Sequence, residues 1–156
     1  MPYSLKNTDS LIQALREYFN NCACHKPEIL AVYLFGSLAK KKLGNSSDID
    51  VAFLFDRLFY KNDPYKSFST AQIMGAEAGE VLGQEVDVSV LNCASLFFAY
   101  EVISTGVCLF ERDFNERIRY EIAIKGQYYD FRPFIADLRQ KKLAYMCASA
   151  EKHVRQ

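Results

Sequence analysis

Two short stretches of this chain carry residue types that chemistry can use. Gly36-Ser37 is followed, after ten intervening residues, by Asp48-Ile49-Asp50. Glycine lets the backbone turn tightly and lets a phosphate come close, while a serine hydroxyl and nearby backbone N–H groups donate hydrogen bonds to phosphate oxygens. Aspartates two apart on a strand leave the same face, where they repel each other unless a proton or a cation intervenes. Carboxylate oxygens are ligands for hard divalent cations, so the pair asks for Mg²⁺. Asp87 is a third acid, set between Val86 and Val88 where an apolar residue is the default. If its strand lies beside that of the pair, three carboxylates surround two ions. With a phosphate-gripping turn, that set suits in-line attack of a hydroxyl on an α-phosphate, with pyrophosphate leaving. By average composition, Gly-Ser, ten residues and Asp-x-Asp occur together in roughly one chain in several hundred of this length. A surface cap is the plain alternative for Asp48.

The elements that must position these residues show in the hydrophobic pattern. Thr8 or Asp9 can cap a first helix with Leu11, Ile12, Leu15, Tyr18 and Phe19 on one face, and Pro27 marks a break beyond it. Ile29–Phe35 is a continuous apolar run of strand length, bounded by Gly36, and a polar, basic loop spans residues 37–47. Over residues 48–55, Ile49, Val51, Phe53 and Phe55 alternate with Asp48, Asp50, Ala52 and Leu54, which predicts a second strand. A turn around Asn62-Asp63-Pro64 precedes a helix marked by Phe68, Ala71, Met74, Ala78, Val81 and Leu82 and ended by Gly83. A third strand follows at 86–91, then a helix at 95–104 stopped by Gly106, then a short strand at 107–110. The remainder is helical: Phe114, Ile118, Ile122 and Tyr129 form one stripe, and Pro133 starts or kinks a last helix with Phe134, Ile135 and Leu138. Beyond Arg139 the periodicity fades, which predicts a tail that frays or is ordered by a partner.

Composition sets the outer limits. The 156 residues suffice for one core, so a single domain is expected over 1–156, with its core at about 8–111 and a C-terminal helical extension at about 112–156. Nineteen Lys+Arg against 19 Asp+Glu gives a formal net charge of zero, so no global pull toward nucleic acid exists and direct nucleic-acid binding is not expected. No apolar run approaches the ~20 residues of a membrane helix, and the N-terminus does not read as a signal peptide, so the expectation is a cytoplasmic protein. Five cysteines are an odd number without framework spacing, and Cys22-x-Cys24-His25 has no second pair with which to hold zinc. His25 and His153 are isolated and offer no general base. From Lys125 to Arg155, seven Lys/Arg stand against Asp130, Asp137 and Glu151, a local net of plus four that a solvated helix face, an acidic partner or RNA would explain. Tyr128-Tyr129 beside Arg132 reads as helix packing before base stacking.

The stretch from Leu34-Phe35-Gly36-Ser37-Leu38-Ala39-Lys40 through Ser47-Asp48-Ile49-Asp50-Val51-Ala52 resembles the minimal nucleotidyltransferases of the DNA polymerase beta superfamily. The resemblance implies an α/β (α+β) fold, with a small mixed central sheet flanked by helices and further helices at the C-terminus. It also implies ATP or another nucleotide as donor and Mg²⁺ held by Asp48, Asp50 and Asp87. The tail, from Arg119-Tyr120-Glu121 through Tyr128-Tyr129-Asp130-Phe131-Arg132-Pro133, looks like the antitoxin branch of that family. Members of this branch are paired with HEPN-domain ribonuclease toxins, which implies AMP transfer to a toxin tyrosine and a hetero-oligomer with the toxin, or a homo-oligomer. One departure is Lys41, where many relatives carry glycine, inside the basic run Lys40-Lys41-Lys42. Two other functions remain open: transfer to a small molecule or RNA, and a non-catalytic antitoxin that neutralises its partner by binding.

Overall fold

The computed structural model describes residues 7–41 and 48–154, with side chains described through Ala150. Residues 42–47, and with them Lys42 and Ser47 of the basic loop, lie outside the described residues. Helix α1 (Thr8–Ala23) is capped by Asn7, whose side chain accepts the Asp9 N–H at 3.2 Å, one residue before the expected Thr8. Its Leu11, Leu15, Phe19 and Ala23 recur every four residues and are buried. Strand β1 (Ile29–Phe35) runs into Gly36, and there a backbone φ of 74° turns the chain into a four-residue helical turn, α2 (Gly36–Ala39). The loop expected from residue 37 therefore begins helical. Strand β2 (Ile49–Phe55) follows, then α3 (Arg57–Asn62), α4 (Pro64–Leu82), β3 (Val86–Val90), a 3₁₀ turn at Leu91–Cys93, α5 (Leu96–Thr105), β4 (Val107–Glu111) and α6 (Phe114–Val154).

Among the described residues the strands form one mixed sheet in the order β3-β2-β1-β4, with β1 antiparallel to β2 and β4, and β2 parallel to β3. The parallel pair requires a crossover, which α4 supplies. Because helices cover both faces, β1 and β2 are apolar on both sides for most of their length. Phe19, Val32, Val51, Phe53, Met74 and Ala78 fill the layer under α1 and α4. Tyr33, Ala52, Leu54 and Val102 fill the layer under α5, with Tyr120 and Ile124 of α6 packed against them.

Three expectations are corrected. Helix α3 stands where only a turn was expected; six residues are too few for a periodic signal, but Asp56 caps it by accepting the Leu58 and Phe59 N–H groups at 3.0 and 2.9 Å. In α4, Phe68 and Val81 are exposed, while Ser67 and Gly75 join Ala71, Met74 and Ala78 on the packed face. Gly75 belongs there because any Cβ would run into Val88 Cγ2 on β3. The C-terminal region is one helix that passes through Pro133 and continues to Val154. Proline removes the N–H that would bond the Tyr129 carbonyl and crowds that carbonyl with its ring, on an exposed turn where water can take the lost bond. Of the expected stripe, Phe114, Ile122 and Tyr129 are exposed and only Ile118 is half-buried. The face that packs instead carries Tyr120, Glu121, Ile124 and Tyr128, drawn in by a 2.9 Å hydrogen bond from Tyr33 Oη to Glu121 and by Tyr128 stacking on Tyr100 at 3.6 Å.

Candidate active site

The strand register assembles the acids. Across β1 and β2, Phe35 is opposite Asp50, and across β2 and β3, Asp50 is opposite Asp87. Paired residues on neighbouring strands, about 4.8 Å apart, share a face. Asp48 lies just before β2, two residues from Asp50 and therefore on its side of the pleat. The Ile49 N–H donates to the Glu85 carbonyl at 3.1 Å and ties the two strand starts together at this end. Asp48 and Asp87 are exposed and Asp50 is half-buried.

Gly36 follows Phe35 directly and lies against Asp50. A Cβ on Gly36 would collide with Asp50 Oδ2 and come within 3.2 Å of its Cγ, and a φ of 74° is one that side-chain-bearing residues rarely adopt. Ser37 is half-buried in α2. The structure thus brings Gly36, Ser37, Asp48, Asp50 and Asp87 to one end of the sheet.

Burial, chiefly, and then the negative charges of Asp87 and Asp48 push the Asp50 carboxyl above its ordinary value. Among the described residues none of the three acids forms an ion pair. Nor, among those residues, does any group of three or more His, Cys, Asp or Glu side chains already close around an ion position. The three carboxylates line one edge without meeting at a point. As a donor set they fit a hard divalent cation: all oxygen, like-charged, and mutually repelling in its absence.

The basic residues behave differently from a free phosphate grip. Lys40 Nζ pairs with Glu101 of α5 at 2.6 Å, and Lys41 Nζ pairs with Asp9 of α1 at 3.0 Å, so the end of the turn is tied to a helix on each side. Both pairs are solvent-exposed, and each contributes at most about 1 kcal/mol. Lys41 sits at φ 54°, in the left-handed region that glycine enters without strain and lysine does not. Sequence inspection missed Glu101 and Asp9, since the partners are far apart in the chain and neither acid sits in a motif. It also missed the floor of the site, where Phe98 meets Phe35 edge-on at 5.3 Å. The five cysteines are free, and among the described residues no helix is long and apolar enough to cross a membrane.

Acids on two parallel neighbouring strands thus face the glycine turn that ends a third. The chain belongs to the polymerase beta nucleotidyltransferase family, whose model matches residues 15–115, a span that includes Gly36, Ser37, Asp48, Asp50 and Asp87. Protein adenylyltransferase MntA of Aphanizomenon flos-aquae is 29% identical over 114 residues, which are 70% of this chain and 75% of that protein. Two solved structures share the fold. A toxin-antitoxin structure with AMP-PNP is 20% identical, covers 85% of this chain and 98% of its own, and has a TM-score of 0.53. The MNT antitoxin bound to the tri-AMPylated HEPN toxin of Shewanella oneidensis is 17% identical, covers 83% and 98%, and also has a TM-score of 0.53.

Proposed function

We propose that this nucleotidyltransferase moves AMP from ATP to a tyrosine hydroxyl of a HEPN ribonuclease toxin and thereby acts as its antitoxin in the cytoplasm. The observation that carries the chemistry is the register that sets Asp50 beside Asp87 and against Gly36. Gly36 and Ser37 hold the triphosphate, and Asp48, Asp50 and Asp87 would hold Mg²⁺, as two ions. When bound, Mg²⁺ would lower the pKa of the acceptor hydroxyl and neutralise charge on the leaving pyrophosphate. The hydroxyl oxygen forms the new bond to the α-phosphorus, the bond to the bridging oxygen breaks, and pyrophosphate departs with that electron pair. The hydroxyl proton passes to a carboxylate of the acidic set. Burial and the neighbouring charges of Asp87 and Asp48 push the Asp50 carboxyl above its ordinary value, and a bound cation would oppose that push.

The acceptor assignment is supported by likeness to a protein adenylyltransferase and by the fold shared with an antitoxin whose partner carries AMP. Incubation with labelled ATP, Mg²⁺ and the HEPN toxin encoded beside it is expected to label that toxin, and the Asp48→Ala, Asp50→Ala variant is expected to leave it unlabelled. No transfer by the wild type would overturn the proposal. Antitoxin action by binding alone is the competing function, favoured by Lys41, whose charge is engaged with Asp9. Full protection of cells by the double variant, with the complex intact, would decide for binding.

A further inference from the structure

We infer that the projecting half of α6 is the grip on the protein partner: a docking face for an apolar helix of the toxin bordered by acidic side chains, physically separate from the transfer site. This assignment rests on the toxin partnership proposed above.

At 41 residues, α6 is roughly 60 Å long. Its first half lies on the domain through Tyr120, Ile124 and Tyr128. The same azimuth, followed at 100° per residue, continues beyond the domain past Ile135 and Lys142, and is flanked by the large apolar side chains of Phe131, Phe134, Leu138, Tyr145 and Met146. These five are between 56% and 75% exposed, and from Tyr129 to Ala150 every residue except Ile135 is exposed. From Phe131 to Tyr145 the steps are three, four and seven, the spacing by which one helix anchors in the groove of another, and Met146 adjoins the last anchor. Five large apolar side chains on so short a face exceed the scattered exposure expected of a monomer.

Charge selects the occupant. Arg132 and Arg139 line one border of this face and form no ion pair among the described residues, whereas Lys141 on the opposite border is paired with Asp137 at 2.7 Å. A partner helix with acidic residues on the matching border complements the two arginines. A second copy of this chain fits poorly. In an antiparallel pair centred near residue 140, Arg139 would face its own mate. In a parallel pair the domain that fills this face as far as Tyr128 would hold the helices apart.

The test uses the full chain and the HEPN toxin encoded beside it, with binding read by isothermal titration and size exclusion and with labelled-AMP transfer read at saturating toxin. The Phe134→Asp, Leu138→Asp variant, whose sites are exposed, is expected to keep the wild-type helical circular dichroism, to lose at least tenfold in affinity and to transfer AMP normally at saturation. Arg139→Glu is expected to weaken binding several-fold, with a reduced salt dependence. Unchanged affinity in both variants, with the wild type bound, overturns the docking assignment alone. Dimerisation of the wild type that the double variant abolishes assigns the face to a second copy and overturns it too. If the wild type itself fails to bind the toxin, the partnership falls and the docking face falls with it.

Discussion

The two faces of β2 carry opposite tasks on seven residues. Ile49, Val51, Phe53 and Phe55 are sealed under α1 and α4, with Phe53 edge-on to Phe19 at 5.7 Å and stacked on Phe55 at 6.1 Å. On the other face Ala52 and Leu54 are buried, but Asp50 emerges at the strand's start among Asp48, Asp87 and Gly36. The first face gains stability from burial, and at its tip the second tolerates electrostatic repulsion that a nucleotide-bound cation would relieve. A strand anchored on one side can hold three like charges in place on the other without rearranging.

Substitutions on the two faces should therefore separate stability from activity. The largest effect on stability is expected from Phe53→Ala, a loss of about 3–5 kcal/mol read from urea unfolding. A loss below about 1 kcal/mol would show that the α1/α4 face does not anchor the strand. Gly36→Ala is expected to cost about 1–2 kcal/mol, because alanine resists the left-handed backbone, and to cut nucleotide transfer at least tenfold by displacing Asp50. Normal transfer would show that the Gly36–Asp50 contact is dispensable.

Asp50→Asn is expected to act with the opposite sign on stability. A carboxyl whose native pKa is raised adds stability that is fully present below the ordinary value of 3.8 and is lost as pH rises through the higher native value. Without metal, the asparagine variant should therefore unfold at a higher temperature than wild type at neutral pH, and the gap should close below pH 3.8. A variant less stable at neutral pH would mean that the charged carboxylate is satisfied in the folded protein. The smallest effect is expected at Lys41→Gly, a gain of up to about 1 kcal/mol from relief of the left-handed lysine. A net loss would show that the pair with Asp9 outweighs the backbone cost.

The sealed face was legible because Ile49, Val51, Phe53 and Phe55 put a large apolar residue at every second position, and Gly83 and Gly106 mark helix ends plainly. Asp50 was legible as an acid interrupting an apolar pattern, and Asp87 for the same reason, although its adjacency depended on a strand order that no local pattern encodes. The ties that hold the site were not legible, because Lys40 meets Glu101 and Lys41 meets Asp9 only through tertiary packing. The clamp at the other end of β2 was equally silent: Asn92 accepts the Phe55 N–H and donates to the Phe55 carbonyl, both at 2.9 Å. On α6, Phe114, Ile122 and Tyr129 misled because one helix carries two apolar stripes, and only hydrogen bonding to Tyr33 and stacking on Tyr100 decide which of them packs.

The site can be tested without knowing the acceptor. Isothermal titration with a non-hydrolysable ATP analogue, with and without Mg²⁺, should show Mg²⁺-dependent binding in the wild type that Asp50→Asn abolishes and Asp87→Asn weakens. Binding that is independent of Mg²⁺, or unchanged in Asp50→Asn, would contradict the assignment of these carboxylates to a metal-nucleotide centre.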